Sequence, residues 1–281
     1  MEKFIEFFGM KSNYQTSGFL ASLFGLVAAI MTISMSIPQL VKILKEKKVG
    51  EIKYYSFWIF FVAINGWVIF GGFSADKLVP AVFANAICSL IYIADLYTLY
   101  KYASGEKRKK MQWVVLGIAS SISISSIIAG MIGTFMKVNF DANTTSVLST
   151  IVPMLTTFAF APQILKSFET KNFKGMSLGL VVVFLIANVC WILYWIFGLA
   201  NLGIQGYILN ALVWQVLQVT IYVVQFMMHI KYAKIEKLET TIKDKNNDYL
   251  NELAKKDAEI KELQEKLLEV NKNSAEQPAE Q

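Results

Sequence analysis

The amino-acid sequence predicts an all-α integral membrane protein with seven transmembrane helices, and three observations lead to this prediction. First, 55% of the 281 residues are apolar and only 17% are charged, whereas soluble domains carry about 25% charged residues. Second, the charges are concentrated between long apolar stretches. Third, the sequence lacks the alternating polar and apolar pattern of a membrane β-barrel.

A hydrocarbon core about 30 Å thick requires about 20 mostly apolar residues in a helix. Seven stretches meet this requirement, namely 18–41, 55–75, 79–100, 112–136, 144–165, 177–200 and 205–230. Residues 1–17, which precede them, mix charged and aromatic side chains and do not form a signal peptide. We therefore expect an extracytoplasmic, interfacial segment at the N-terminus.

The orientation follows from the Lys and Arg residues in the short loops. Sixteen basic residues flank one side of the predicted bundle, at 42, 45, 47, 48, 53, 101, 107–110, 166, 171, 174, 231, 234 and 237. Only four lie on the other side, at Lys3, Lys11, Lys77 and Lys137. This asymmetry predicts a multi-pass protein of the cell membrane with its N-terminus outside and its C-terminus in the cytoplasm. Because the basic residues lie in loops beside a membrane, nucleic-acid binding is not expected.

The chain contains an internal duplication. The segments "SIPQLVKILKEKK" and "FAPQILKSFETKN" place Pro38-Gln39 and Pro162-Gln163 at an offset of 124 residues. At the same offset Trp67 falls on Trp191 and Phe70 on Tyr194, and an offset of 125 aligns Asn85 with Asn210. Such near-constant offsets predict two three-helix repeats, 18–102 and 142–233.

The orientation of the two repeats predicts the role of the helix between them. The charge count places both Pro-Gln segments on the cytoplasmic side, so the repeats are parallel. An odd number of helices must then connect them, and the linker 103–141 contains one. That helix is rich in Ser, Gly and Ala, which favour close helix packing in lipid. The predicted arrangement is 3+1+3.

The C-terminal region differs in composition from the membrane part. In residues 234–270 a heptad pattern of Ile, Leu and Tyr, interrupted by Glu239, Asn246 and Lys256, predicts a cytoplasmic coiled coil. A solvated single helix is the alternative. The coiled coil would serve self-association or a cytoplasmic partner, and residues 271–281 are predicted to be disordered.

The two Pro-Gln motifs in a 3+1+3 arrangement resemble the PQ-loop superfamily, which includes the SWEET and semiSWEET sugar transporters. The resemblance covers residues 18–233 and implies a substrate site between parallel repeats. In SWEET-like proteins an asparagine pair and aromatic residues form the sugar pocket. By position these would be Asn85 and Asn210, with either Trp67 and Trp191 or Phe70 and Tyr194. Asn65 and Asn188, at an offset of 123, are secondary candidates.

Physical reasons accompany these assignments. Proline removes a helical hydrogen bond and bends the helix, so Pro38-Gln39 and Pro162-Gln163 are candidate hinges or gates, with fixed kinks as the alternative. An amide in the hydrocarbon region needs a partner or a polar cavity. Asn85 and Asn210 therefore indicate either a pocket or hydrogen bonds between helices.

Asp95 is the only carboxylate well inside a predicted span. Intramembrane acids can relay protons, so Asp95 is a candidate for proton coupling, although pairing with the lysines at the end of its helix is the simpler interpretation. The sequence shows no catalytic constellation, so we expect neither an enzyme nor a cofactor or metal.

These observations favour a transporter that moves a small neutral polar solute, with a sugar as the first candidate, by alternating access and facilitated diffusion. Two alternatives remain. One is a proton-coupled amino-acid exporter of the PQ-loop type, which Asp95 would support. The other is a membrane receptor or scaffold that uses the C-terminal coiled coil.

Overall fold

The computed structural model describes residues 1–50, 52–136, 138–171 and 177–275. Lys137, Lys174, the side chain of Gln163 and residues 276–281 of the predicted disordered tail lie outside the described part. The described residues form eleven helices, namely α1 Glu2–Phe7, α2 Gln15–Ser34, α3 Ile37–Glu46, α4 Tyr54–Phe73, α5 Val79–Lys101, α6 Glu106–Lys110, α7 Gln112–Phe135, α8 Ala142–Phe158, α9 Ala161–Thr170, α10 Leu178–Leu202 and α11 Gly206–Ala275. Since α11 is helical to Ala275, the tail predicted to be disordered from residue 271 begins as a helix.

Six helical stretches within these ranges are long and apolar enough to cross a membrane: Gln15–Glu46, Tyr54–Phe73, Val79–Lys101, Gln112–Phe135, Leu178–Leu202 and Gly206–Leu267. The predicted fifth span, 144–165, is not among them. The helix is interrupted at Ala159 and Phe160, so that α8 has only 17 residues. In addition, seven Ser and Thr residues lower the hydropathy of this stretch. The seven-helix 3+1+3 arrangement therefore stays a prediction.

The duplication is visible in the boundaries of the helices. Four boundaries of the first repeat recur 124 positions later. The end of α2 corresponds to the end of α8, both ends of α3 to those of α9, and the start of α4 to the start of α10. In addition, α3 and α9 both end at a lysine with left-handed backbone, Lys47 with φ 49° and Lys171 with φ 53°. The two Pro-Gln segments thus fold alike.

Helices of the two repeats pack directly on one another. In the first repeat α5 contacts both α2 and α4. Between the repeats, α2 packs along α10 and α4 packs along α8. This arrangement leaves an interface between the repeats in which residues from α2, α4, α8 and α10 face each other.

The linker helix α7 packs against α4 and α5 of the first repeat. A Cβ at Gly72 would lie 2.3 Å from the carbonyl oxygen of Gly130, and a Cβ at Gly133 would lie 2.8 Å from the carbonyl oxygen of Gly72. The small residues predicted to permit close packing therefore do so at the α4–α7 crossing. Nearby, the Asn65 Oδ1 atom accepts hydrogen bonds from Ser89 and Ser126.

The chain divides into two units, Met1–His229 and Ile230–Gln281. The helical part of the second unit has exposed apolar side chains at heptad positions, including Ile242, Leu253, Ile260 and Leu263. Their exposure fits both a solvated helix and a seam for a partner helix, so the coiled coil stays a prediction.

Candidate functional site

A cavity of about 50 Å³ lies between the two repeats. This volume has room for a few water molecules at about 10–15 Å³ each. The residues that line it come from both repeats: Thr32, Met35, Phe60, Ile64, Trp67, Ala81, Asn85, Thr156, Phe184, Ala187, Asn188, Trp191, Trp195, Gln215 and Gln218. None of these fifteen residues carries a charge. We call this space the central cavity.

The duplication accounts for part of the lining. Three pairs of lining residues stand at the offset of 124, namely Thr32 with Thr156, Phe60 with Phe184 and Trp67 with Trp191. Because each pair occupies the same position on the same helix of its repeat, the two repeats present similar aromatic and hydroxyl groups to the cavity.

The amides of the cavity are not symmetric. Position 64 of the first repeat is Ile, whereas its counterpart is Asn188. The Gln215 side chain donates to Asn188 Oδ1, and Gln218 donates to the carbonyl of Thr156 at 3.4 Å. The second repeat therefore supplies three amides and the first repeat only Asn85.

The tryptophans provide two indole donors with different environments. Trp191 Nε1 donates to the hydroxyl of Thr32 at 3.0 Å, and this bond joins the two repeats. Trp195 Nε1 is buried and has no hydrogen-bond partner among the described residues. A buried donor without a partner is costly, so Trp195 is suited to a polar group that enters the cavity.

The two predicted aromatic pairs differ in their position relative to the central cavity. Trp67 and Trp191 line the central cavity, whereas Phe70 and Tyr194 are buried behind them, with ring centroids 5.8 Å from Trp67 and 5.3 Å from Trp191 respectively. Phe70 and Tyr194 therefore support the tryptophans and are not part of the described lining.

The predicted asparagine pair is not brought together. Asn85 lines the cavity and donates to the carbonyl of Ala81 on its own helix at 2.8 Å. Asn210 is absent from the described lining, since it donates to the hydroxyls of Ser149 and Thr150 on α8 at 3.1 and 3.3 Å. Asn188, which was only a secondary candidate, supplies the amide of the second repeat. Asn65, the other secondary candidate, accepts hydrogen bonds from serines instead.

At the end of the bundle that carries Pro38 and Pro162, here called the PQ end, residues of the two repeats contact each other. Gln39 is buried, and its Oε1 atom accepts a hydrogen bond from the backbone N–H of Ser177 at 3.0 Å. Ser177 is the N-cap of α10, so Gln39 satisfies one of the free donors at that helix terminus. The Pro38 ring lies against Gly179, where a Cβ would be 3.1 Å from it.

Proline begins both helices at the PQ end. Pro38 and Pro162 each occupy the first turn of α3 or α9, directly after the break that follows α2 or α8. Proline is tolerated there because the first N–H groups of a helix have no internal partner. Between this end and the cavity lies a layer of packed rings, with Phe160 5.3 Å from both Phe57 and Phe60.

The opposite end, here called the N-terminal end, is joined by a different contact. The hydroxyl of Tyr207 donates to Asp76 Oδ2 at 2.6 Å. Asp76 follows α4 of the first repeat and Tyr207 lies in α11, so this bond also connects the repeats.

Asp95 lies apart from the central cavity. Its side chain is fully buried, and neither carboxyl oxygen has a hydrogen-bond partner within the described ranges. The hydroxyl of Ser36, the N-cap of α3, lies beside it. The expected pairing of Asp95 with lysines at the end of its helix is therefore not seen for the described residues.

Several lining residues were missed from the sequence. Thr32, Thr156, Phe60 and Phe184 stand at the same offset as the tryptophans, so the duplication carried a signal for them. Trp195, Gln215 and Gln218 have no such signal, since Trp195 corresponds to Gly71 and the amides to unlike residues in the first repeat.

Comparisons with known proteins show similarity over part of the chain. Residues 144–204 match the family described as PQ loop repeat. The chain is 46% identical over 39 residues to the sugar transporter SemiSWEET of Escherichia coli (strain UMEA 3162-1), a match that covers 14% of this chain and 44% of the relative. It is 37% identical over 59 residues to the uncharacterized protein MJ0110 of Methanocaldococcus jannaschii, covering 21% of this chain and 62% of the relative. The matches thus span less than two thirds of each relative.

The fold is similar to that of a solved eukaryotic SWEET transporter. The TM-score is 0.51 at 15% sequence identity, and the match covers 79% of this chain and 99% of the SWEET chain. At this identity the likeness concerns the fold, and it agrees with the apolar helices of a multi-pass membrane protein. Part of this chain is thus similar in sequence to PQ loop repeat proteins, and its fold is similar to that of a SWEET transporter.

Proposed function

We propose that this protein is a transporter that moves a small neutral polar solute, with a sugar as the first candidate, by facilitated diffusion. The observation that carries the proposal is the uncharged central cavity, lined by tryptophans and amides, between two repeats. One sequence relative is a sugar transporter, which supports the same class of solute.

The chemistry of the lining suits a sugar. Amides such as Asn188 and Asn85 both donate and accept hydrogen bonds, as hydroxyl groups require. The rings of Trp67 and Trp191 offer apolar faces to the carbon side of a sugar ring. The indole N–H of Trp195 is free to donate to a further hydroxyl.

Alternating access would require the repeats to separate at one end at a time. At the PQ end, separation would break the hydrogen bond from Ser177 to Gln39. The interruptions of the helix before Pro38-Gln39 and before Pro162-Gln163 would act as hinges. At the N-terminal end, it breaks the contact between Tyr207 and Asp76. Each end thus has a small set of contacts between repeats that can be exchanged.

The proposal is tested by uptake into proteoliposomes that contain the full chain. Labelled glucose and sucrose are supplied outside, and initial rates are compared between the parent and Asn188→Ala. We expect the variant to lose about tenfold in uptake, because it removes an amide that would bind solute hydroxyls and leaves Gln215 unpaired.

Asn210→Ala is the matched control, since it removes the same side chain from the same repeat outside the described lining. We expect its uptake to stay within about twofold of the parent. A folded parent that takes up no neutral solute would count against the transporter. Loss of uptake in Asn210→Ala but not in Asn188→Ala would restore the symmetric asparagine pair predicted from the sequence.

Proton coupling is the second candidate, and the environment of Asp95 favours it. A fully buried carboxyl group without a hydrogen-bond partner among the described residues is suited to take up and release a proton as the helices move. Its neighbour Ser36 lies at the break between α2 and α3, where the proposed hinge would bend. Uptake accompanied by acidification, measured with a pH-sensitive dye and lost in Asp95→Asn, would favour this candidate. Uptake without proton movement and unchanged in Asp95→Asn would leave facilitated diffusion.

A further inference from the structure

Three side chains of the first 14 residues are buried in the bundle, whereas most of this segment is exposed. Helix α1 is followed by a turn that leads the chain back to α2 at Gln15. Ile5 is fully buried, and Phe8 and Met10 are only 4% and 5% exposed. These side chains are therefore packed into the N-terminal end of the bundle.

One side of this segment packs on the first repeat, to which it is covalently joined. A Cβ at Gly18 of α2 would lie 2.8 Å from Ile5 Cγ2, and one at Gly25 would lie 3.3 Å from the Phe8 ring. Gly9 has φ +75° and approaches the loop after α4, where a Cβ would be 2.9 Å from the carbonyl oxygen of Asp76. Glycine permits this left-handed backbone and the close approach.

The other side of the segment is bound by the second repeat. The buried Asn201 of α10 accepts a hydrogen bond from the backbone N–H of Lys11 at 2.7 Å. Its amide nitrogen donates to the carbonyls of Lys11 at 3.0 Å and Tyr14 at 3.3 Å. Met10 Cε lies 3.7 Å from the position of a Cβ on Gly198, one turn earlier on α10.

The segment also lines a second cavity near the N-terminal end. A second, smaller cavity is lined by Phe8, Gly9 and Met10 on one side and by Trp195 and Tyr207 on the other. Trp195 lines both this cavity and the central one. The Trp195 side chain is thus shared by the central cavity and the cavity beside the N-terminal segment.

We propose that residues 1–14 form a plug for the N-terminal end and that Asn201 is the latch that holds it. The inference rests on the proposed alternating access. When the repeats separate at this end, the plug stays with α2 because it is continuous with that helix, and its bonds to Asn201 and its contact with Gly198 break. The strength of the latch therefore sets how often the central cavity opens to this face.

The test measures accessibility and needs no transported solute. Cys88 and Cys190 are replaced by Ala, and Ala187→Cys places a reporter thiol in the central cavity of the full chain in membranes. A membrane-impermeant thiol reagent is applied to the face that carries the N-terminus, and the rate of modification is measured. We expect Asn201→Ala to raise this rate about tenfold, because the variant removes the hydrogen bonds that hold the plug.

Two cross-links separate a moving plug from a fixed structural element. A short bifunctional thiol reagent joins Met10→Cys to Gly198→Cys, which ties the plug to the second repeat. The matched pair Phe4→Cys with Phe19→Cys, which replaces two rings whose centroids lie 6.2 Å apart, ties it to α2 of its own repeat. We expect the first cross-link to reduce modification from the N-terminal face to background and the second to leave the rate near that of the parent.

Unchanged modification after the cross-link from residue 10 to residue 198, or a rate in Asn201→Ala equal to that of the parent, would overturn the plug. Modification from the PQ end only, with none from the N-terminal face in any variant, would overturn the plug together with alternating access. Uptake that fails in the liposome assay while the labelling pattern holds would instead count only against the proposed solute.

Discussion

The hydrogen bond between Gln39 and Ser177 makes a direct prediction about opening of the PQ end. Gln39 is 3% exposed, and its Oε1 atom accepts from the N–H of Ser177 at 3.0 Å across the two repeats. One such bond contributes about 1 kcal/mol net, which corresponds to about fivefold in an equilibrium constant. Gln39→Ala should therefore favour the open PQ end by about fivefold.

The assay is the rate at which an impermeant thiol reagent, applied from the PQ end, modifies a cysteine introduced at Ala187. Val41→Ala is the control, since Val41 lies on the same helix and is 40% exposed. It truncates a side chain of α3 without touching α10.

A double-mutant cycle isolates the bond itself. Ser177 has φ −68°, which proline adopts without strain, so Ser177→Pro deletes the donor at a compatible φ. Each single variant should open the PQ end to the same extent, and the double variant should open it no further. Additive effects, or a rate in Gln39→Ala equal to that in Val41→Ala, would refute the role of this bond.

Three further predictions concern other parts of the chain. Gly130→Val should destabilise the protein by about 1–3 kcal/mol, because a Cβ there would lie 2.6–2.7 Å from atoms of Val68. Gly117→Val is the control and should cost less, since nothing lies within 4 Å of a Cβ at that position. Equal melting temperatures of the two variants in detergent would contradict this prediction. Asp141 caps α8, and hydrogen bonds from the hydroxyl and the backbone N–H of Thr144 lower its pKa. Asp141→Ala should therefore lower the melting temperature above about pH 4, the pKa of an unfolded Asp. The difference between variant and parent should disappear as the pH falls through the lowered pKa of the folded state. Leu253→Asp should abolish any self-association through the tail, as measured by light scattering. Ala254→Asp, which lies beside the heptad seam, should not. An equal effect of both variants would exclude a coiled coil in the predicted register.

The repeat could be predicted from the sequence because a duplication leaves similar residues at a constant offset along the chain. The offset of 124 between the Pro-Gln motifs reappears in the boundaries of α3 and α9 and in the left-handed residues Lys47 and Lys171. The fifth predicted span stays a prediction, since the structure divides this stretch into α8 and α9.

The candidate site was predicted only in part, and the reason is geometric. Trp67 and Phe70 are three residues apart and lie on the same side of α4, so spacing could not decide which one lines the cavity. Asn85 and Asn210 align in sequence, but Asn210 bonds to Ser149 on α8 while Asn85 lines the cavity. A rotation of a helix by one residue, about 100°, is enough to exchange the side chains that face a cavity.

By itself, the sequence determined that apolar helices recur in two related units, because hydropathy and repetition depend on neighbouring residues and on a fixed offset. Only the tertiary structure decided that Asn188, Gln215 and Trp195 line the central cavity. It also decided that the N-terminal segment packs between Gly18 and Asn201. These contacts join residues up to 190 positions apart, and they depend on how the helices are rotated and packed, which no local pattern specifies.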